Sequence, residues 1–192
     1  NQAFNFFKKT NEINLSQKKN DINKDHTLNI ITKRIEFYNN ENVSNWSLNY
    51  QDNQNCKPIF LIGFPRSGTT LLDTILRSHP SIQVIEEKPL VEKLIISIDK
   101  QIDSDFKNLK NLNQNQIKIL QNQYCENLLK YTDTASNTQI FIDKMPLNII
   151  HIGEIIRVFP NAKFILALRH PCDSVLSCYM QSFKLNNAMA NF

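Results

Sequence analysis

Arg66, Ser67, Thr69 and Thr70 surround Gly68 in a short polar turn, Phe64-Pro65-Arg66-Ser67-Gly68-Thr69-Thr70, which follows the apolar run Ile59–Gly63 and precedes Leu71 and Leu72. Gly63 and Gly68 stand at G-x-x-x-x-G spacing, which lets backbone N–H groups face inward around an anion. The N-terminus of a following helix would add its partial positive charge. A nucleoside-triphosphate loop of this kind carries Lys directly after the second Gly. Here that residue is Thr69, and the cation is Arg66, inside the turn. The spacing therefore predicts a phosphate cradle, and the missing Lys argues against a kinase or ATPase. Two of the three Gly in the whole chain sit in this stretch, where backbone freedom and close anion approach are needed.

Further chemistry-bearing residues lie downstream: the acidic pair Glu86-Glu87, the pair Asp143-Lys144, and Arg169 with the hydroxyls Ser174 and Ser177. Each acidic residue could take up a proton, or simply open the helix that starts near Pro89. Asp143 could orient Lys144 or cap a turn. His79-Pro80 reads as a helix stop, and His26, His151 and His170 show no nucleophile signature nearby, although His170 could line a site beside Arg169.

The elements that must position these residues follow from hydrophobic periodicity. Ile59–Gly63 predicts a buried strand, and Leu71, Leu72, Ile75 and Leu76 predict an apolar stripe on a helix that ends near His79-Pro80. Ile82 to Ile85 reads as a short strand, and Pro89 to Ile98 as a helix. The polar stretch from Lys100 to Asn115 reads as a surface connection. Ile117, Leu120, Tyr124, Leu128 and Tyr131 mark another helix. Gln139 to Ile142 predicts a strand, Leu147 to Phe159 a helix, Ala162 to Leu168 an apolar strand, and Cys172 to Phe183 a last helix. Apolar strands alternating with helices predict an α/β fold, a parallel sheet of P-loop type covered on both faces in three α/β/α layers. Ligands of such sheets bind beyond the carboxyl ends of the strands. The turn, Asp143-Lys144 and Arg169 are therefore expected to converge there.

Before the sheet, residues 1 to 26 are rich in Asn, Lys and Gln and lack sustained periodicity. They read as a linker or the end of a preceding element. Leu28, Ile31, Ile35 and Tyr38 predict a short amphipathic helix over Thr27–Tyr38, and an Asn-rich connection, pinned by Trp46, runs to Cys56. The domain expectation is thus a polar N-terminal segment over 1–56 and an α/β domain over 57–192.

Composition narrows the function classes. Net charge is +4, from 22 Lys and Arg against 18 Asp and Glu, which suits an anionic ligand. No basic run with interleaved aromatics suggests a nucleic-acid partner. No stretch approaches the length of a membrane span, and no signal segment opens the chain. Cys56, Cys125, Cys172 and Cys178 show neither C-x-x-C spacing nor a His partner at metal-ligand distance, so they read as small buried or half-buried residues, with no metal required. A reducing, cytoplasmic setting is the simplest expectation.

The ordered set of Pro65-Arg66-Ser67-Gly68-Thr69-Thr70, His79-Pro80, Glu86-Glu87, Asp143-Lys144 and Leu168-Arg169-His170-Pro171 with Ser177 resembles sulfotransferases that use 3′-phosphoadenosine 5′-phosphosulfate as co-substrate. It is most similar to the branch of tyrosylprotein sulfotransferases and their bacterial relatives, in which such a domain often follows helical repeats. The resemblance implies that Arg66, Ser67, Gly68, Thr69 and Thr70 hold the 5′-phosphosulfate. It implies that Arg169 and Ser177 grip the 3′-phosphate, with Ser174 a competing hydroxyl. Glu87 is implied as the general base, with Glu86 its rival, and Lys144 as the cation that, with Arg66, stabilises the transferred group and the leaving oxygen. A sulfuryl group carries less charge than a terminal phosphoryl, so a Mg²⁺ bridge is less necessary.

The implied acceptor is a hydroxyl on a protein tyrosine, a carbohydrate or a small molecule. The competing readings are a P-loop nucleotide or small-molecule kinase and a sulfotransferase-like module that binds without turnover. Because the family's domain continues past the serine of the 3′-phosphate motif, the chain is expected to be truncated on its C-terminal side and weakly active alone. Its first residue, Asn1, is not Met, so an earlier segment is also expected.

Overall fold

The computed structural model describes residues 2–17, 23–41, 43, 46, 56–132 and 140–181. They divide into two compact units, one spanning 45–168 and the other combining 1–44 with 169–192. Gln139, expected to open a strand, and Phe183, expected to close the last helix, lie outside the described residues, as does most of the Asn-rich connection.

The first unit is built on four short strands, β1 (Ile59–Gly63), β2 (Ile82–Glu86), β3 (Ile140–Lys144) and β4 (Lys163–Ala167), in the order β2-β3-β1-β4. Every pairing is parallel. The expected α/β class, a parallel sheet flanked by helices, is the one observed. In β1 the alternation of side chains sends Leu61 to one face and Phe60 to the other, and both are fully buried. Leu61 joins Val84 and Ile142, with Leu72 and Leu76 of helix α3 (Thr69–Arg77) packed over them. Phe60 meets an aromatic layer, its ring 6.0 Å from Tyr124 and 5.5 Å from Phe164, while Tyr124 lies 5.1 Å from Phe159. β4 is one of the two edge strands, and among the described residues Leu166 on it stays 47% exposed.

Two further expectations are corrected by packing. In α3 the buried face runs through Thr69, Leu72, Asp73 and Leu76, one helical stripe, whereas Leu71 and Ile75 remain exposed. The stretch from Lys100 to Asn115 is no plain surface connection. Between α4 (Leu90–Gln101) and α5 (Gln114–Leu129) it winds into a 3-10 turn, Phe106–Asn111, and buries Ile102, Leu109 and Leu112. The cause is Arg157 of α6 (Ile152–Val158), itself buried, whose Nε donates to the Leu109 carbonyl at 2.9 Å. Its Nη2 donates to the carbonyls of Lys110 and Leu112 at 2.9 and 2.5 Å. One guanidinium fork thereby satisfies three carbonyls of the turn, and Trp46 lies 5.9 Å from the same guanidinium.

The cysteine expectation is also corrected. Cys56 and Cys125 form a disulfide that ties the segment before β1 to α5, while Cys172 and Cys178 remain thiols. Disulfides persist in oxidising surroundings, so the argument for a reducing compartment does not extend to this pair.

The second unit holds α1 (Gln2–Gln17), α2 (Lys24–Asn40) and α7 (Pro171–Tyr179). Residues 2–17 are helical despite their weak periodicity, because two spaced contacts fix them to α7. Phe4 stacks on Tyr179 at 5.1 Å between centroids, and Asn11 donates to the Tyr179 carbonyl at 3.0 Å. The helix expected over Thr27–Tyr38 begins earlier because Asn23 caps it, accepting from the N–H groups of Asp25 and His26. Among the described residues no helix is long and apolar enough to cross a membrane.

Replacing Arg157 by Met removes the guanidinium donor from the Lys110 and Leu112 carbonyls and leaves that of Leu109 with the Leu112 N–H at 3.4 Å. Each buried unsatisfied group costs about 1–3 kcal/mol, so the variant is expected to lose at least about 2 kcal/mol, read as a lower urea midpoint than wild type.

Candidate functional site

The turn after β1 closes through the Ser67 N–H, which donates to the Phe64 carbonyl at 3.1 Å. Arg66 and Gly68 take left-handed backbone angles, with φ of 66° and 101°. Gly63 is required by proximity, since a methyl there would stand 2.7 Å from Ser67 Oγ and 2.8 Å from the Ala167 carbonyl. Gly68 is the cap of α3 and supplies no side-chain acceptor, so the first-turn N–H groups of that helix have no side-chain cap. Ser67 Oγ is buried and has no hydrogen-bond partner, while Thr69 is buried and Arg66 and Thr70 are exposed. Uncapped amides, an unpartnered hydroxyl and a neighbouring guanidinium form a donor set suited to an anion.

The carboxyl ends of β2 and β3 supply the second part. In register, Glu86 lies opposite Lys144, and the Glu87 N–H donates to the Lys144 carbonyl at 2.8 Å. An extended chain would send Glu86 and Glu87 to opposite faces. Glu87 instead has φ 49°, a left-handed angle uncommon for a residue with a side chain, and this turn brings both carboxylates to one place. Lys144 Nζ, fully buried, lies 2.9 Å from Glu86 Oε1, 3.0 Å from Glu87 Oε1 and 3.4 Å from Thr70 Oγ1. Burial alone would depress the Lys144 pKa, but the hydrogen bonds to Glu86 and Glu87 outweigh it and hold the ammonium above its ordinary value. Glu86 is held below the usual carboxylate range, first by the hydrogen bond from Lys144, against some desolvation, and then by the charges of Lys144, Arg77 and Lys88.

Asp143 neither orients Lys144 by a side-chain bond nor caps a turn. Strand alternation puts it on the opposite face, where the Tyr124 hydroxyl donates to its Oδ2 at 2.8 Å and its Oδ1 is buried without a partner. Burial raises the Asp143 pKa from 3.8 to about 7, partly opposed by the Tyr124 hydrogen bond.

The structure thus gathers Thr70, Glu86, Glu87 and Lys144. Arg169 and Ser177 belong to the other unit, where Arg169 is exposed and Ser174 and Ser177 are both buried in α7. The histidines serve structure. His79 Nδ1 accepts from the Ser81 N–H at 3.1 Å, His170 Nδ1 accepts from the Cys172 N–H at 3.3 Å, and His151 Nδ1 lies 3.2 Å from Glu154 Oε1. Among the described residues no group of three or more His, Cys, Asp or Glu could hold a metal ion.

Three contributors went unread in the sequence. Tyr124 was placed only on an apolar helix face, although a buried tyrosine hydroxyl needs a partner. Asp73 and Arg77 stand at i, i+4 spacing, a legible helix pair. Arg77 reaches both buried Asp73 and, at 3.7 Å, Glu86 Oε2.

A parallel α/β sheet with a donor-lined turn after β1 and a lysine clamped by carboxylates at adjacent strand ends is an arrangement suited to an anionic group. A family model described as the sulfotransferase family matches residues 58–191, and the chain belongs to that family. It is 33% identical to an uncharacterised protein of Aquifex aeolicus over 85% of this chain and 22% of that protein. It is also 29% identical to the protein-tyrosine sulfotransferase of Drosophila melanogaster, over 62% of this chain and 24% of that protein. To protein-tyrosine sulfotransferase 1 of Homo sapiens it is 30% identical, over 62% of this chain and 33% of that protein. The chain therefore spans about a quarter to a third of the length of these relatives. Among solved structures it is similar to sulfotransferase STF9 of Mycobacterium avium, with 16% identity, a TM-score of 0.39, and coverage of 80% of this chain and 53% of that one.

The raised Asp143 pKa carries a sign. Between about pH 4 and 7 the folded protein binds a proton at Asp143 that the unfolded chain has released, so stability falls as pH rises through that window. Relative to Asp143→Asn, wild type is expected to lose up to about 1.4 kcal/mol per pH unit there and to level off above it. Urea titrations of both proteins across the window would test this, and parallel curves would refute it.

Proposed function

We propose that this chain forms the donor-handling part of an enzyme that moves a sulfuryl group from 3′-phosphoadenosine 5′-phosphosulfate to an acceptor hydroxyl. The observation that carries the reading is the fully buried Lys144, held by Glu86 and Glu87 within 3.4 Å of Thr70 in the loop after β1. A cation beside this loop suits charge that develops on a leaving phosphate oxygen, where fixed electrostatics accelerate transfer most. Membership of the sulfotransferase family supports the same reading.

In the proposed reaction Glu87 accepts the proton of the acceptor hydroxyl, whose oxygen attacks sulfur. The bond between sulfur and the bridging oxygen of the 5′-phosphate breaks, and the electron pair stays with the phosphate. Lys144 and Arg66 balance the charge gained by that oxygen, while Ser67, Gly68, Thr69 and Thr70 bind the phosphosulfate. The residues of the turn fit this anion through the uncapped amides and the unpartnered Ser67 hydroxyl. Arg169 and Ser177 are proposed to bind the 3′-phosphate on the order of the motifs alone. Protein tyrosine is the first acceptor to try, because two of the relatives are named protein-tyrosine sulfotransferases.

The test is calorimetric titration with 3′-phosphoadenosine 5′-phosphate, followed by sulfate transfer to a tyrosine peptide and to carbohydrate hydroxyls. Glu87→Gln is expected to lower kcat at least about 100-fold, the usual reach of general-base catalysis, while keeping affinity for the donor product. Arg169→Ala is expected to lose the preference for donor product over the analogue without a 3′-phosphate. A wild type that shows no binding and no transfer would overturn the reading.

A further inference from the structure

Two adjacent glutamates on one lysine pose a chemical problem, since a general base has to be the one that can turn to the acceptor. The structure distinguishes them. Glu86 is bound on two sides, by Lys144 Nζ at 2.9 Å through Oε1 and by Arg77 Nη2 at 3.7 Å through Oε2. Among the described residues Glu87 meets Lys144 alone, and its side chain is 57% exposed. Arg77 is not a loose surface cation, because both its Nε and its Nη2 donate to Asp73, whose side chain is buried one turn earlier in α3. The charges form an alternating row, Asp73, Arg77, Glu86, Lys144, Glu87, running from α3 across the ends of β2 and β3.

We infer that Arg77, fixed by Asp73, is a positioning residue that keeps Glu86 as a stationary carboxylate beside Lys144 and so leaves Glu87 to take the acceptor proton. The inference rests on the sulfotransferase reading and adds to it a division of labour between the glutamates. Glu86 is faced by Arg77 from α3, with Asp73 bound behind it, by Lys144 from β3, which Glu87 shares, and by Lys88 from its own strand end, whose ammonium lies 5.5 Å from the centre of the Tyr131 ring. Without Arg77 the row has one negative charge more. Glu86 then competes with Glu87 for Lys144 and holds its own proton to higher pH. Arg77 and Glu86 are each nearly half exposed, so solvent screening keeps the effect modest.

The test is the pH profile of kcat/KM for wild type, Arg77→Ala, Arg77→Lys, Glu86→Gln and the Arg77→Ala/Glu86→Gln pair. The acid limb reports the coupled carboxylates as a set. Arg77→Ala is expected to move that limb up by about half a pH unit and to lower kcat roughly threefold, with Arg77→Lys restoring most of both. In the Glu86→Gln background Arg77→Ala is expected to add no further shift.

An unchanged acid limb in Arg77→Ala, or the same shift with Glu86 already replaced, would overturn the role. Arg77→Gln, which keeps a donor for Asp73, takes the place of Arg77→Ala if that variant unfolds. Carboxyl-carbon NMR titration of Glu86 reads the coupling without turnover. If wild type neither binds donor product nor transfers sulfate, the sulfotransferase reading fails, and the NMR arm still decides for Arg77. An upward shift of Glu86 in the variant supports it, and an unmoved titration refutes it.

Discussion

A lysine ammonium with no solvent exposure cannot stand alone, because removing an unpaired charge from water costs far more than a fold of this size can absorb. Lys144 is in that position at the end of β3, and much of the local architecture answers its need for partners. The parallel register of β2 on β3 sets Glu86 opposite it, and the left-handed turn at Glu87 delivers a second carboxylate. An extended angle at 87 would send the Glu87 side chain to the other face. The strained angle is therefore better explained by the pairing than by the turn itself.

The sheet order has a related consequence. Because β3 lies between β2 and β1, the turn after β1 and the acidic end of β2 flank the same lysine from its two neighbouring strands. Thr70, one residue into α3, is then within reach of Nζ without any long connection. A sheet in sequential order would put β2 between β1 and β3 and move Thr70 a further strand spacing of about 5 Å from Lys144. The site is in this sense a property of topology first and of side chains second.

Much of this was legible in the sequence, and the reason differs between parts. β1, β2, β3 and the turn were readable because apolar runs stop abruptly at Gly63, Glu86 and Asp143-Lys144. α1 was not, since its anchoring depends on Phe4 and Asn11 meeting Tyr179, contacts between residues far apart in the chain. The 3-10 turn before α5 was missed for the same reason. Its order comes from Arg157, and a polar stretch gives no local sign that a distant guanidinium will satisfy its carbonyls. The disulfide likewise joins cysteines 69 residues apart, beyond any spacing rule. In the site, Glu87 and Lys144 were singled out by type and order, but Glu86 and Glu87 could not be separated, because their difference lies in Arg77.

That separation shows why the two faces of β3 have to be considered apart. On one face Lys144 is charged and its neighbours supply compensating carboxylates. On the other, the preceding residue, Asp143, is equally buried but among the described residues has only the Tyr124 hydroxyl, so its carboxyl keeps a proton near neutrality. Had the two side chains shared a face, they would have neutralised each other as a buried pair, and Lys144 would have had less attraction left for Glu86, Glu87 or an incoming anion. Strand alternation prevents that internal pairing. The ammonium meets Glu86, Glu87 and, at 3.4 Å, Thr70 of the loop after β1, and Asp143 pairs with α5 through the Tyr124 hydroxyl rather than a salt bridge. The consecutive Asp143-Lys144 pair, which on a flexible chain would form a local ion pair, is divided by the pleat into one structural and one site-facing residue.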